Sequence, residues 1–284
     1  MRWVWKDGRL YPENEALVSV CDGAVLHGAS LFETLRCYRG QPFLLEQHLQ
    51  RLQRWLGRLH LFARARETVD LSPDTLRTAI GELLEANGLL LSDARLRITV
   101  TAGADAHRPS CFLLADGITP EQIARWEQGI RAILLPDPRA ASGELPKWGS
   151  YAWHMEAQWQ AQARGADEAI WFNRDGYLTE GAVSNLFVLQ GNRLLTPPLD
   201  EGILAGVTRA VVLQLAEELG VECREERIPV SALQAAEAVL LTNSVREITH
   251  VIRLEDELLP QHSTVKHLQE AYRRVVHRQI QRSQ

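Results

Sequence analysis

The segment Glu144 to Tyr151, ELPKWGSY, contains a residue type that this chain hardly uses. Of the 31 basic residues only three are lysines, Lys6, Lys147 and Lys266, and arginine supplies the rest. A guanidinium carries charge as well as an ammonium does, but it stays protonated and does not attack a carbonyl. A lysine amine can condense with an aldehyde to give a Schiff base. Lys147 is therefore a candidate for amine chemistry, although a solvated lysine in a connector is the simpler explanation of this residue taken alone.

A lysine that serves pyridoxal phosphate (PLP) chemistry needs an acid that faces the pyridine nitrogen, so that the ring can accept electrons. Glu180 lies in YLTEGAVSNLFVL, at the end of a predicted strand. Gly181 follows it and would let the backbone approach a ligand closely. An exposed hairpin carboxylate is the commoner case, so Glu180 alone does not decide the question.

Such a cofactor also needs donors for a phosphate dianion. The segment EGILAGVTRAVV places Val207 and Thr208 where a helix begins, which offers bare N–H groups, a hydroxyl and the positive end of the helix dipole. Ser244 follows a predicted strand in LLTNSVREI, and Arg51 lies on a predicted helix in QHLQRL. A simple N-cap explains Thr208 equally well, and a solvated helix face explains Arg51.

The elements before residue 117 predict a small α/β domain over residues 1–117. A leucine stripe from Leu45 to Leu59 has helical spacing, and Ser72 with Pro73 opens a second helix that ends near Gly88. The strand-like runs are Trp3 to Trp5, Arg9 to Tyr11, Ala16 to Val20, Leu31 to Tyr38, Leu96 to Thr101 and Cys111 to Ala115.

We predict an interdomain connector over residues 118–128, with a short helix, and a larger domain over residues 129–284. A helix that carries Met155 and Trp159 ends at Gly165, and strands separated by the turns NRDG and GN follow it. Further helices are expected from about Val207 and over the C-terminal segment. The pattern changes after Ser150, which agrees with a second domain.

Composition excludes several classes of protein. A net charge of -5 offers no basic face for nucleic acid, and no apolar run approaches the roughly 18 residues of a membrane helix. The nine histidines are scattered and the four cysteines form no CxxC pair, so we expect no metal site and buried, reduced thiols. The start, MRWVWKDGRL, has no apolar core of signal-peptide length. A cytoplasmic protein is expected.

Taken together and in this order, these segments resemble the class IV aminotransferases, which are the fold-type IV PLP enzymes. That group contains branched-chain aminotransferases, D-amino acid aminotransferases and 4-amino-4-deoxychorismate lyases. The segments that carry the resemblance are LFETLRCYRGQPFLLEQHLQRL at 31–52, RLRITVTAG at 95–103, GADEAIWFNRDGYLTEGAVSNLFVL at 165–189, LLTPPLDEGILAGVTR at 194–209 and LLTNSVREITHV at 240–251.

The resemblance implies a two-domain α/β (α+β) fold, with a small α/β domain and a larger β-barrel-like domain with flanking helices. It implies PLP in the cleft between the domains, and a homodimer. It also implies a role for each matching residue: Lys147 as the Schiff-base lysine, Glu180 at the pyridine nitrogen, Arg51, Val207, Thr208 and Ser244 at the phosphate, and Tyr151 near the phenolic oxygen of the cofactor.

The activity implied first is transfer of an amino group between an amino acid and a 2-oxo acid. The alternative is 4-amino-4-deoxychorismate lyase, which forms 4-aminobenzoate and pyruvate. Thr34 in FETLR matches a threonine of the lyases, whereas the residues WGS after Lys147 depart from their pattern. A non-catalytic PLP-binding module is a remote third alternative.

Residues that would contact the substrate are harder to assign. The family's usual aromatic–GDG segment is HGAS here, so that His27 stands where an aromatic often lines the substrate pocket. His107 and Arg108 follow VTAG, where the D-amino acid enzymes carry carboxylate-binding residues, but the register differs. Arg36 is a further substrate candidate, and a salt-bridged strand arginine is its alternative.

Overall fold

The computed structural model describes residues 1–103, 109–140 and 143–282, and the chain divides into two compact units. The first unit comprises Met1–Thr119, Pro146–Tyr151 and Gln279–Gln284. The second unit comprises Pro120–Leu145 and Ala152–Arg278. The segment that carries Lys147 therefore belongs to the first unit, although it follows a stretch of the second along the chain.

The first unit is built on a six-stranded antiparallel sheet in the order β2-β1-β6-β5-β3-β4. Its elements are β1 (Trp3–Lys6), β2 (Arg9–Pro12), α1 (Gly23–His27), β3 (Ser30–Tyr38), β4 (Gln41–Pro42), α2 (Leu45–Arg58), α3 (Ala63–Thr68), α4 (Pro73–Ala86), β5 (Ala94–Thr101) and β6 (Cys111–Gly117).

The core of this unit lies between one face of the sheet and the helices α2 and α4. Leu49 and Leu56 of the predicted stripe are buried, and so is Leu35 on the facing strand. Ser72 caps α4 as predicted, because its hydroxyl accepts a hydrogen bond from Thr75 N at 3.4 Å. The alternation of β3 then turns every second side chain to the opposite face of the sheet.

The prediction of a strand at Ala16 to Val20 is wrong. The segment has no regular structure, and Leu17 and Val20 are 75% and 76% exposed. Apolar composition alone does not make a strand, because a strand also needs a partner for its backbone groups.

The second unit contains a closed barrel. Its strands are joined in the cyclic order β10-β13-β14-β7-β8-β9, and the pairing of Asn185 with Glu180 closes β9 onto β10. The elements from residue 120 onward are α5 (Pro120–Gln128), β7 (Ile130–Leu134), α6 (Ala152–Ala163), β8 (Glu168–Phe172), β9 (Leu178–Gly181), β10 (Asn185–Gln190), β11 (Arg193–Thr196), α7 (Val207–Glu218), β12 (Glu222–Glu225), β13 (Ala238–Asn243), β14 (Glu247–Leu254), β15 (Glu257–Leu258) and α8 (Ser263–Arg282).

The barrel confirms the predicted β-barrel-like domain with flanking helices. Side chains such as Ile170, Leu186 and Val239 fill its apolar cluster. The strands β11 and β12 extend the sheet beyond β10, and β15 pairs with β14. Within the described ranges, no helix combines the length and the apolarity that crossing a bilayer requires.

The four cysteines are free thiols, but they are not all buried. Cys37 and Cys111 lie in the core, and burial raises the pKa of each thiol to about 12. Cys223 is half-buried, and Cys21 is exposed, so the prediction of burial is wrong for Cys21.

Candidate active site

The main chain around Lys147 is paired with strand β3. The N–H of Phe32 donates to the carbonyl oxygen of Lys147 at 3.0 Å, and the N–H of Gly149 donates to the carbonyl oxygen of Ser30 at 2.6 Å. A Cβ atom at position 149 would lie 1.8 Å from Ser30 Oγ and 3.3 Å from the Ser30 carbonyl oxygen, so any larger residue would require Ser30 to move. The connector therefore becomes a fixed segment at the point where the lysine occurs.

The side chain of Lys147 lies beside two aromatic rings. Its Nζ is 4.8 Å from the ring centroid of Phe32 and 5.7 Å from that of Tyr151. The two rings pack edge to face with centroids 5.2 Å apart. The structure thus brings the two predicted residues Lys147 and Tyr151 together, and Phe32 joins them.

In the same unit, three polar side chains form a buried cluster. Arg51 donates to both carboxylate oxygens of Glu33, from Nε at 2.8 Å and from Nη2 at 2.5 Å. His48 Nδ1 lies 2.7 Å from the second oxygen. Burial alone would raise the pKa of Glu33, but the charge of Arg51 and the hydrogen bonds from Arg51 and His48 outweigh it and lower the pKa to about 2. Glu33 therefore holds the guanidinium of Arg51 in one orientation.

His48 completes this cluster as a neutral imidazole. Burial lowers its pKa, and the positive charges of Arg51 and Lys147 add to the effect, while Glu33 opposes it. Because ionised Glu33 can only accept hydrogen bonds, the imidazole proton lies on Nδ1. Since the charge of Lys147 reaches His48, the cluster and the reactive-lysine candidate share one electrostatic environment.

Arg97, on β5, lies over the same phenylalanine ring as Lys147. Its Cζ is 3.6 Å from the ring centroid of Phe32, and its Nε donates to Thr99 Oγ1 at 3.1 Å. Burial lowers the pKa of Arg97 to about 10, with Tyr151 opposing and Arg95 adding to the shift. Among the described residues, no carboxylate lies within ion-pair distance of this guanidinium. Arg97 was not singled out from the sequence.

Glu180 lies in the second unit with two donors on its carboxylate. Arg139 Nη1 donates to Oε1 at 2.7 Å, and the N–H of Leu204 donates to Oε2 at 3.0 Å. Arg139 in turn stacks on Trp171, with its Cζ 4.7 Å from the ring centroid. Glu180 is 4% exposed, so it is not the exposed hairpin carboxylate of the simpler interpretation.

The start of α7 gathers the other predicted donors of this unit. Val207 and Thr208 form its first turn, where N–H groups have no intrahelical acceptor. Thr208 Oγ1 lies 3.5 Å from Ser244 Oγ, in the loop that follows β13. Gly206 precedes the helix, and a Cβ there would lie 1.9 Å from Asn185 Oδ1. Two hydroxyls and a helix N-terminus therefore converge, as an anion requires.

The substrate candidates occupy different environments. Thr34 lies opposite Arg97 in the register of β3 and β5. Arg36 donates to Asp93 from Nε at 3.1 Å and from Nη2 at 2.6 Å, the arrangement of a structural strand arginine; its substrate role stays a prediction. His27 ends α1 and, with Trp148, lines a cavity of about 580 Å³. The candidates His107 and Arg108 lie outside the described residues.

Comparison with known proteins decides the family. Residues 30–254 match the model of "Amino-transferase class IV". The chain is 30% identical over 261 residues to the aminodeoxychorismate lyase of Bacillus subtilis, which covers 89% of this chain and 87% of that protein. It is also 30% identical to the branched-chain aminotransferase of Thermoproteus uzoniensis solved with norvaline, with a TM-score of 0.85 over 97% of this chain and 94% of that one.

The chain belongs to the class IV aminotransferase family.

A further similar structure is that of a T.th. branched-chain amino acid aminotransferase, solved in complex with N-(5'-phosphopyridoxyl)-L-glutamate. It is 25% identical, with a TM-score of 0.81 over 95% of this chain and 92% of that one. The part of our chain that the structure describes holds no group of three or more His, Cys, Asp or Glu side chains that could bind a metal.

Sequence reasoning missed several side chains that support the candidate site. Glu33, His48 and Arg139 contact predicted residues, and Arg97 shares the ring beside Lys147. A partial signal existed for Arg97, because ARLRITVT alternates and places two arginines on one strand face. Arg139 lies in a connector without periodicity, so no local pattern points to its partner.

The Glu33 cluster predicts a specific dependence of stability on pH. Because the pKa of Glu33 falls from 4.5 to about 2 on folding, its contribution is complete above pH 4.5 and is lost as the pH falls through about 2. We expect Glu33→Gln to lower the free energy of unfolding by about 3 kcal/mol at pH 7. The difference from the unsubstituted protein should shrink between pH 4.5 and 2, as measured by urea unfolding.

Asp74→Asn is the matched control, since the side chain of Asp74 is fully exposed. That variant should keep the loss of stability between pH 4.5 and 2 that the unsubstituted protein shows. A Glu33→Gln protein that lost the same stability on acidification as the unsubstituted one would contradict the assigned role of Glu33.

Proposed function

We propose that this chain is a PLP-dependent class IV aminotransferase that transfers an amino group between an amino acid and a 2-oxo acid, with Lys147 as its catalytic residue. The supporting observation is the pair of cations on the ring of Phe32, the Lys147 amine at 4.8 Å and the Arg97 guanidinium at 3.6 Å. One is an amine suited to covalent chemistry. The other is an arginine without a carboxylate partner among the described residues. Together the two side chains suit a substrate that has both an amino group and a carboxylate.

The donor sets fit PLP. Each oxygen of Glu180 accepts one hydrogen bond and keeps a second acceptor position, which a protonated pyridine nitrogen can use. Val207, Thr208 and Ser244 offer N–H groups and hydroxyls that suit a phosphate dianion. We propose that Arg51, held by Glu33, also donates to the phosphate, and that Tyr151 lies near the phenolic oxygen.

When bound, PLP supplies an aldehyde carbon for the substrate nitrogen and a ring that accepts the electron pair left at the substrate Cα. Lys147 would hold the cofactor through its Nζ, and the same amine, once free, would take and move the proton of the substrate Cα. Glu180 would accept a hydrogen bond from the pyridine nitrogen and so would favour the protonated ring. Arg97 binds the substrate carboxylate and so orients Cα toward Lys147.

Aminodeoxychorismate lyase is the second candidate function, because a lyase of Bacillus subtilis is among the relatives at 30% identity. The same removal of the Cα proton by Lys147 would then be followed by loss of the group at Cβ. Thr34, on β3, pairs with Arg97 on the neighbouring strand β5. In a lyase, Thr34 would be the additional catalytic candidate.

The first test asks which lysine binds the cofactor. Because the chain has only three lysines, borohydride reduction of the PLP-loaded protein should fix one phosphopyridoxyl group on Lys147 and none on Lys6 or Lys266, as read by peptide mass spectrometry. Lys147→Arg should abolish the labelling, and Lys6→Arg should leave it unchanged. Labelling that persists in Lys147→Arg would overturn the proposal.

The second measurement separates the two activities. An aminotransferase should transfer the amino group from members of a panel of L- and D-amino acids to 2-oxoglutarate. A lyase should release pyruvate from aminodeoxychorismate with no amino acceptor present. Pyruvate release without any amino transfer would replace the first candidate by the second.

Arg97 yields a prediction about substrate affinity. We expect Arg97→Lys to raise KM for the 2-oxo acid by about 10- to 100-fold, because a lysine cannot reproduce a two-point guanidinium–carboxylate contact. The change in kcat should be smaller. Arg95→Lys is the matched control, since Arg95 lies on the same strand, is 55% exposed and pairs with Asp116. Equal increases of KM in Arg97→Lys and Arg95→Lys would contradict the proposal that Arg97 binds the substrate carboxylate.

We also infer that the protein is a homodimer, as the resemblance to the family implies. Val25, Leu26 and Leu61 of the first unit are more than half exposed, and Leu26 and Leu61 line the same cavity, so they offer an apolar surface that a partner chain would cover. Sedimentation equilibrium should give twice the chain mass of 32.0 kDa. A single-chain mass at micromolar concentration would contradict this inference.

A further inference from the structure

The loop that presents Ser244 is a tight three-residue connection between β13 and β14. Asn243 and Glu247 form the last pair of the ladder, so Ser244, Val245 and Arg246 make the turn. Asn243 Oδ1 accepts hydrogen bonds from the N–H groups of Val245 at 3.0 Å and of Arg246 at 2.8 Å. Glu247 closes the turn with a φ of 62°, which favours glycine and is costly for a glutamate. Other contacts must hold this backbone in place.

Arg246 provides such a contact through its side chain. Its Nη1 donates to Glu168 Oε2 at 3.1 Å, and the same nitrogen lies 3.5 Å from the carbonyl oxygen of Asp167. Glu168 is the first residue of barrel strand β8, and its side chain is fully buried. The turn is therefore tied to the barrel wall at a point remote from it in sequence.

Glu168 also holds a second segment of the same unit. Its other oxygen, Oε1, accepts a hydrogen bond from the N–H of Val183 at 2.9 Å, in the connection between β9 and β10. That connection begins two residues after Glu180. One buried carboxylate thus joins the loop after Glu180 to the turn that carries Ser244.

The pair is difficult to break once it has formed. Burial raises the pKa of Glu168, and the charge of Arg246 and the hydrogen bond from Val183 oppose that shift. If Arg246 moved away, the fully buried carboxyl of Glu168 would lose its counter-ion and a hydrogen-bond donor, and leaving a buried polar group without its partner costs more than an exposed ion pair contributes. The backbone at Arg246 is consequently fixed, and Ser244 lies only two residues before it.

We infer that Arg246, anchored on Glu168, is a positioning residue that holds the Ser244 hydroxyl at the start of α7 for the phosphate of the cofactor. This inference rests on the proposed function. It explains why Ser244 Oγ remains 3.5 Å from Thr208 Oγ1 although the turn ends in a strained residue. Arg246 itself needs no contact with the cofactor.

The test compares two ligands that differ only in the phosphate. For Arg246→Ala, we expect the dissociation constant of PLP to rise about tenfold, while that of pyridoxal, which lacks the phosphate, stays unchanged. Ser244→Ala should show the same selectivity. In the double variant the two effects should not add, because both act through one hydroxyl. Binding is followed by absorbance titration of the apoprotein.

Two further variants separate positioning from general destabilisation. Arg273→Ala is the matched control, since Arg273 of the same unit makes an exposed ion pair with Glu127, and it should bind PLP normally. Combining Glu168→Gln with Arg246→Ala removes the uncompensated buried charge and should recover thermal stability without recovering PLP affinity.

The outcomes are distinct. An equal loss of affinity for PLP and pyridoxal, or additive effects of Ser244→Ala and Arg246→Ala, would overturn the positioning role and leave the proposed function standing. A protein without substitutions that fails to take up PLP would overturn both. Phosphate-selective, non-additive losses support the inference.

Discussion

The site depends first on a short stretch of main-chain pairing between residues 147–149 and strand β3. Two backbone hydrogen bonds, from Phe32 to Lys147 and from Gly149 to Ser30, join a connector to a strand of the first unit. A lysine on a free loop would spend most of its time in water, with four rotatable bonds and a strongly hydrated charge. Here the Cα position is fixed, so that the amine stays against the rings of Phe32 and Tyr151.

Buried carboxylates pair with arginines in both units, and each pair restrains a segment that carries a candidate residue. Glu33 restrains Arg51, Arg139 contacts Glu180, and Glu168 restrains the turn after β13. Such pairs contribute little net stability compared with apolar contacts of the same size. Their value lies in fixing orientation, because the arginine cannot leave without depriving a buried carboxylate of its partner.

Much of the fold follows from local pattern. The leucine stripe of α2, the Ser72 cap of α4 and the strand over Leu31 to Tyr38 are decided within a few residues, and the structure agrees with each. Ala16 to Val20 shows the limit, since its apolar composition says nothing about whether a neighbouring strand exists. For the site, Lys147 was indicated by composition and Val207 and Thr208 by helix-start chemistry. Glu33, Arg97 and Arg139 act across long sequence separations, which no local pattern encodes.

The barrel closes through the pairing of Asn185 with Glu180, and these two residues also belong to a small hydrogen-bonded ring. Asn185 Nδ2 donates to the carbonyl oxygen of Leu204 at 2.8 Å, and the N–H of Leu204 donates to the carboxylate of Glu180 at 3.0 Å. The pairing that closes the barrel and the hydrogen bond that orients the Glu180 carboxylate therefore involve the same residues. A fluctuation that separates β9 from β10 would also displace the Glu180 side chain. The closure of the barrel therefore restrains the position of the Glu180 carboxylate.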